Sequence, residues 1–84
     1  LFVDGVSSIA SMPFDMDAWG IDVLITGSQK ALMLPPGLAM ISLSDRAWAA
    51  CEKASLPRYY FDLRIEKKAQ AQDQTAWTPA ISLI

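Results

Sequence analysis

The chain has 84 residues, 52% of them hydrophobic, with a formal net charge of −2 and a pI near 4.7. That length holds one small domain at most, and the charge balance offers no basic footprint for nucleic acid or an anionic membrane. With no histidine and one cysteine, Cys51, these residues supply no zinc site, no Ser-His or Cys-His nucleophile pair and no internal disulfide.

A lone cysteine fits a reducing, cytoplasmic setting. No run approaches the ~18 apolar residues of a spanning helix, and no basic leader precedes an apolar run, so neither a membrane segment nor a signal peptide is expected. A chain this short leaves much of its surface in water. Its high apolar fraction therefore predicts a piece that is buried inside a larger protein or dimer.

Leu1-Phe2-Val3-Asp4 reads as a buried parallel strand over 1–4. Asp4 then stands at the strand's carboxyl end, the edge at which open α/β sheets bind ligands. The Asp4-Gly5 pair is equally a turn signal. Val6 to Met12, with Ser7, Ser8 and Ser11, reads as a loop, and Pro13 blocks a helix there. Asp15 to Gly20 predicts one helical turn, opened by an acid and closed by glycine, with Met16 and Trp19 as packing residues. Ile21 to Thr26 predicts a second buried strand over 21–26.

A turn over 27–30, Gly27-Ser28-Gln29-Lys30, follows. Lys30 is the one charge deep in apolar sequence. It must snorkel to water or be desolvated, and desolvation frees its lone pair for carbonyl chemistry; the second is expected. The short Pro35-Pro36-Gly37 connection excludes a helical crossover, so the apolar run over 38–43 should pair antiparallel to the second strand. Ser44 is a good N-cap for a helix over 45–54, with Ala47, Trp48, Cys51 and Ala54 on one apolar stripe. Cys51 on that stripe reads as core. A further helix is expected over 59–70, anchored by Tyr59, Tyr60 and Phe61, with a solvated charged face. A polar loop then leads to Pro79, which suits the first turn of a last element over 79–84.

An aspartate at one strand end and a lysine after the next strand can meet in one crevice. A pyridoxal phosphate enzyme needs that pair: the lysine for a Schiff base, the carboxylate to keep the pyridine nitrogen protonated. A glycine-lysine turn also suggests a nucleotide phosphate loop, but G-x-x-x-x-G-K-[ST] is not met.

Val3-Asp4-Gly5-Val6-Ser7-Ser8, Trp19-Gly20-Ile21-Asp22-Val23 and Thr26-Gly27-Ser28-Gln29-Lys30-Ala31 with Pro35-Pro36-Gly37 together resemble the class V aminotransferases. Among these, the segments are most similar to the alanine–glyoxylate, serine–glyoxylate and serine–pyruvate enzymes. Trp77-Thr78-Pro79-Ala80 resembles the family's Thr-Pro segment. The resemblance implies an α/β fold: part of the aspartate aminotransferase-like (type I) large domain, a mixed sheet with flanking helices. It implies transamination by a full-length homodimer, between alanine or serine and glyoxylate or pyruvate, with pyridoxal 5'-phosphate as cofactor and no metal. It implies that Lys30 is the Schiff-base lysine and Asp4 the pyridine-nitrogen partner. Val6 would pack on the ring, and Gln29 would lie on the phosphate side. Thr75 and Thr78 would reach the cofactor phosphate of the neighbouring subunit.

Glutamine at 29, where desulfurases of this fold usually carry histidine, leans away from a lyase or desulfurase. So does a sole cysteine placed in a helix stripe. The family's glycine-rich phosphate loop, its ring-stacking aromatic and its substrate-carboxylate arginine have no counterpart here. The 84 residues alone are therefore expected to be inactive, or to act as scaffold only.

Overall fold

One β-branched run and two short apolar runs build a single three-stranded sheet in the order β1-β2-β3, and the computed structural model describes residues 1–77. β1 is Phe2–Asp4, β2 is Val23–Gly27 and β3 is Ala39–Leu43. β1 and β2 run parallel, with Val3 opposite Leu24 and Asp4 opposite Ile25. β2 and β3 run antiparallel, from Val23 opposite Leu43 to Gly27 opposite Ala39. The loop between them is too short to return a strand in the parallel sense.

The segment between β1 and β2 is built of turns. The amides of Ser8 and Ile9 both donate to the Gly5 carbonyl, at 3.1 and 3.0 Å. Asp15 accepts from the Ala18 amide at 2.9 Å, and Gly20, at φ 65°, ends that turn. Its left-handed backbone lets Ile21 donate to the Met16 carbonyl at 3.0 Å.

α1 spans Asp45–Lys53 and α2 spans Leu63–Gln70. Ser44 caps α1: its side chain accepts from the Ala47 amide at 3.1 Å. The helix ends one residue before the expected 54, because Ala54 is extended at ψ 132°. The helix expected over 59–70 starts only at Leu63. Asp62 accepts from the Arg64 amide at 3.1 Å and so acts as an N-cap, which leaves Tyr59–Phe61 in the turn before the helix. An aspartate that satisfies a free first-turn amide outcompetes aromatic residues with little helix preference. The strands begin at Phe2, Val23 and Ala39 rather than 1, 21 and 38, and β2 runs one residue further, to Gly27. Ile21 is buried ahead of β2 and Asp22 serves as a tether. The element expected over 79–84 lies outside the described residues.

α1 lies on the face of the sheet that carries Val23, Ile41 and Leu43, with Ala47 and Cys51 lining the intervening groove. Lys67 of α2 places its ammonium 4.3 Å from the Trp48 ring centroid, joining the two helices. The core is thin: among the described residues Ile21 and Val23 are the buried hydrophobic ones, each 5% exposed, while Phe2 and Met33 are largely exposed. No described helix is long and apolar enough to cross a membrane.

Candidate active site

Parallel pairing of β1 and β2 makes both strands point their carboxyl ends at the same edge of the sheet. The chain leaves β1 through Asp4-Gly5 and leaves β2 through Gly27-Ser28. Asp4 and Lys30 consequently line one cleft of about 590 Å³, with Val6, Ser7, Ser8 and Met12. Ser11 also lines it, but its hydroxyl is committed to the Ser7 and Ser8 carbonyls at 2.9 and 2.8 Å.

The turn reading and the ligand-edge reading of Asp4 are both realised. Oδ1 of Asp4 accepts from the Val6 amide at 3.0 Å, which fixes the carboxylate across the turn. Its other oxygen has no hydrogen-bond partner among the described residues. Gly5 is buried and its amide donates to the Ile25 carbonyl at 2.8 Å. A Cβ at this position would stand 2.8 Å from Leu24 Cδ1 and 2.9 Å from Ile9 Cγ1. Glycine is therefore what lets the Asp4 turn sit against β2.

Lys30 is exposed, where the sequence predicts a desolvated amine. Its apolar neighbours do not surround it. Leu32, Met33 and Leu34 spread along a surface loop, and the cleft residues stand to one side only. The loop itself is fixed by Ser28, whose side chain is fully buried. The Ser28 hydroxyl donates to the Pro35 carbonyl at 2.7 Å and accepts from the Leu38 amide at 3.3 Å. The backbone of Ser28 also bonds Leu38 and Leu34, each at 3.1 Å. Local sequence gave a signal for this. Two consecutive prolines supply carbonyls but no amides, so a nearby hydroxyl is needed to serve them.

Gln29 does not line the cleft. Its carboxamide folds back over Gly27, with Oε1 2.7 Å from where a Cβ on that glycine would sit. Thr75 is exposed and does not line the cleft, and Thr78 lies outside the described residues.

The arginines are engaged elsewhere. Arg46 grips Asp22 through Nε at 2.9 Å and Nη2 at 2.6 Å. That guanidinium and the Ser44 hydroxyl hold the Asp22 carboxyl well below the usual carboxylate range. Arg64 grips Asp62 in the same forked way at 2.9 and 2.6 Å, and drives its carboxyl down likewise. Arg58 pairs with Asp62 at 3.5 Å. None of the three lines the Asp4–Lys30 cleft.

The family model described as "Aminotransferase class-V" matches residues 1–75. L-aspartate–glyoxylate aminotransferase of Paracoccus denitrificans is 54% identical over 84 residues, which cover all of this chain and 21% of that protein. Serine–glyoxylate aminotransferase of Methylorubrum extorquens is 47% identical over 89 residues, covering all of this chain and 22% of that one. The crystal structure of alanine–glyoxylate aminotransferase from Nostoc sp. superposes with a TM-score of 0.88 at 30% identity, over 99% of this chain and 23% of that one. The chain thus spans about a fifth of the length of the curated relatives it matches. Its segments fold in the α/β manner of those enzymes, and the chain belongs to the class V aminotransferase family.

Proposed function

We propose that the full-length protein carrying this segment is a pyridoxal 5'-phosphate-dependent aminotransferase. It would move the amino group of alanine or serine to glyoxylate or pyruvate, as a cytoplasmic homodimer with its site at the subunit interface. The observation that carries this reading is the shared cleft of Asp4 and Lys30 at the carboxyl ends of two adjacent parallel strands. Glyoxylate is common to the names of the three relatives, which favours it as acceptor. The donors in those names are aspartate, serine and alanine, so aspartate joins the donors to be assayed.

The residues fit the cofactor. The cleft has the volume of a small-molecule site. It presents one carboxylate with an oxygen unpartnered among the described residues, one primary amine and the apolar side chain of Val6. When bound, the cofactor supplies an electron sink for the carbanion formed at the substrate's α-carbon. Asp4 would hold the ring through its unpaired oxygen, kept in place by the Val6 amide. Val6 would pack on one ring face. Lys30 would hold the cofactor covalently between turnovers. Once displaced by the amino acid, its Nζ would take the proton from the α-carbon and hand it on. Gln29, Thr75 and Thr78 would serve the phosphate, the two threonines across the dimer.

The full-length protein, loaded with pyridoxal 5'-phosphate, should show a visible absorption band that borohydride abolishes. Peptide mapping should then find the reduced cofactor on Lys30. Glyoxylate-dependent consumption of alanine, serine or aspartate should accompany it. Absence of the adduct from Lys30 overturns the enzyme reading and leaves a scaffold. Sulfide or alanine release from cysteine, without amino transfer to glyoxylate, replaces transamination by desulfurase chemistry.

A further inference from the structure

We infer that Ser28 is a positioning residue for Lys30: its buried hydroxyl clamps the loop over 28–38 and so sets where the amine stands relative to Asp4. This deepens the reading of Lys30 as the cofactor lysine, and rests on it. Ser28 stands two residues before Lys30, at the exit of β2. It is the one side chain that is wholly removed from solvent among the described residues. A serine is not buried for its apolar surface, and a buried hydroxyl must be matched by partners. Here both its functions are used: it donates to Pro35 O at 2.7 Å and accepts from Leu38 N–H at 3.3 Å.

Those two bonds close the far end of the loop on the near end. Pro35 cannot donate, and Leu38 is the residue just before β3. The loop between carries strain that needs such a clamp: Met33 takes φ 57°, a left-handed backbone that side chains disfavour. The Met33 amide donates back to the Lys30 carbonyl at 2.9 Å, so the lysine backbone belongs to the same closed unit. Lys30 itself is exposed and its side chain makes no hydrogen bond among the described residues. Its position is therefore governed by the backbone that carries it, and that backbone is governed by Ser28. A reacting amine displaced by an ångström loses rate out of proportion to any loss of binding.

The test uses the full-length holoenzyme with Ser28→Ala, and Ser44→Ala as a control. Ser44→Ala removes a cap on α1, away from the cleft. For each protein three quantities are read: the melting temperature, the pH midpoint of the Lys30–cofactor absorption band, and the single-turnover rate with the amino acid donor. For Ser28→Ala we expect a midpoint displaced by at least about half a pH unit and a single-turnover rate lowered about tenfold or more. The donor's apparent binding constant should stay within about twofold. Ser44→Ala should lower the melting temperature and leave the other readings as in the wild type. Should Ser28→Ala fail to fold, Ser28→Cys, similar in size and a weaker hydrogen-bonding group, should give a smaller displacement of the same kind. A melting-temperature loss alone, with midpoint and rate unmoved, overturns the assignment while the Lys30 adduct of the wild type still stands. A wild type with no adduct on Lys30 overturns both.

Discussion

The hydroxyl of Thr26 donates to the carbonyl of Gly5 at 3.3 Å. This bond ties the end of β2 to the turn that carries Asp4, across 21 positions of sequence. Together with the Gly5 amide on the Ile25 carbonyl, it fixes the height of the Asp4 turn over the sheet edge. Thr26→Val keeps the β-branched shape and removes the donor. A net hydrogen bond contributes about 0.5–1.5 kcal/mol. The expected result in the full-length protein is a stability loss of about 1 kcal/mol by urea unfolding and a several-fold weaker hold on the cofactor. Thr26→Ser should restore both. Cofactor retention equal to the wild type in Thr26→Val would show that the Asp4 turn stands without this tether.

The two glycines that flank the cleft should respond differently to the same substitution. Gly5→Ala brings a methyl to 2.8 Å from Leu24 and 2.9 Å from Ile9, both packed between turn and sheet. Overpacking of this kind costs typically 1–3 kcal/mol. Gly27→Ala meets first the carboxamide of Gln29 at 2.7 Å, the far end of a flexible side chain. Its expected stability cost is under about 1 kcal/mol, and its effect is to push Gln29 off the turn. Thermal unfolding of the two full-length variants checks the order. Gly27→Ala as costly as Gly5→Ala would mean that Gln29 cannot move.

Acid should act on the Asp22 knot. Arg46 and Ser44 bond the folded Asp22 carboxylate, and its pKa lies below the ordinary value. Below about pH 4 the unfolded chain takes up a proton that the folded chain refuses. The contribution of this carboxylate is therefore full above that pH and is lost as pH falls towards its lowered folded value. Asp22→Asn should lower stability at pH 7 and flatten the acid limb of the stability profile. Arg46 is largely exposed, so salt should weaken the effect. Parallel acid limbs for the two proteins would show that the knot adds nothing.

Asp4→Asn isolates charge from shape. The amide can still accept from the Val6 N–H, so the turn should persist. What disappears is the negative charge that would keep a bound pyridine nitrogen protonated. A lost electrostatic contact to a developing charge costs about 10²–10³ in rate. The full-length variant should bind pyridoxal 5'-phosphate, give the borohydride-reduced adduct on Lys30, and transaminate about 10²–10³ times more slowly. An unchanged rate would remove Asp4 from the mechanism.

What could be read from the chain before folding was whatever is local. The β-branched run after Gly20 marks a strand, and the short Pro-Pro-Gly loop fixes the antiparallel sense of β3. Parallel pairing of β1 and β2 then puts Asp4 and Lys30 at one edge; two strand ends made the pair a candidate, and the choice between a turn and a ligand edge for Asp4 rested on the family resemblance. Partners separated by long stretches were not legible. Asp22 meets Arg46 across 24 positions, and nothing around either residue announces the other. The exposure of Lys30 is not legible because its apolar neighbours in sequence, Leu32 to Leu34, are not its neighbours in space. The late start of α2 follows from the capping capacity of Asp62, which outweighs the aromatic run before it.

Arg58 tests how the two helices are joined. Its Nη2 donates to the Cys51 carbonyl at 3.1 Å, and its Nη1 to the Ala54 and Leu56 carbonyls at 3.2 and 3.3 Å. These close the open end of α1, where carbonyls lack helical partners. The same guanidinium lies 3.5 Å from Asp62, the cap of α2, and its Nε is enclosed with no hydrogen-bond partner among the described residues. One planar group therefore serves the end of one helix and the start of the next. Arg58→Ala hands the exposed Ala54 and Leu56 carbonyls to water and takes one of two donors from the half-buried Cys51 carbonyl, and each hydrogen bond so lost contributes about 0.5–1.5 kcal/mol. Arg58→Lys keeps the charge but replaces a fork by a point, which cannot reach three carbonyls and a carboxylate together. Urea unfolding of the full-length protein should show the alanine variant destabilised by about 1–3 kcal/mol, with lysine recovering less than half. Transamination at saturating substrate should stay near wild type in both, since Arg58 does not line the cleft. Full recovery by lysine would reduce the joint to charge alone.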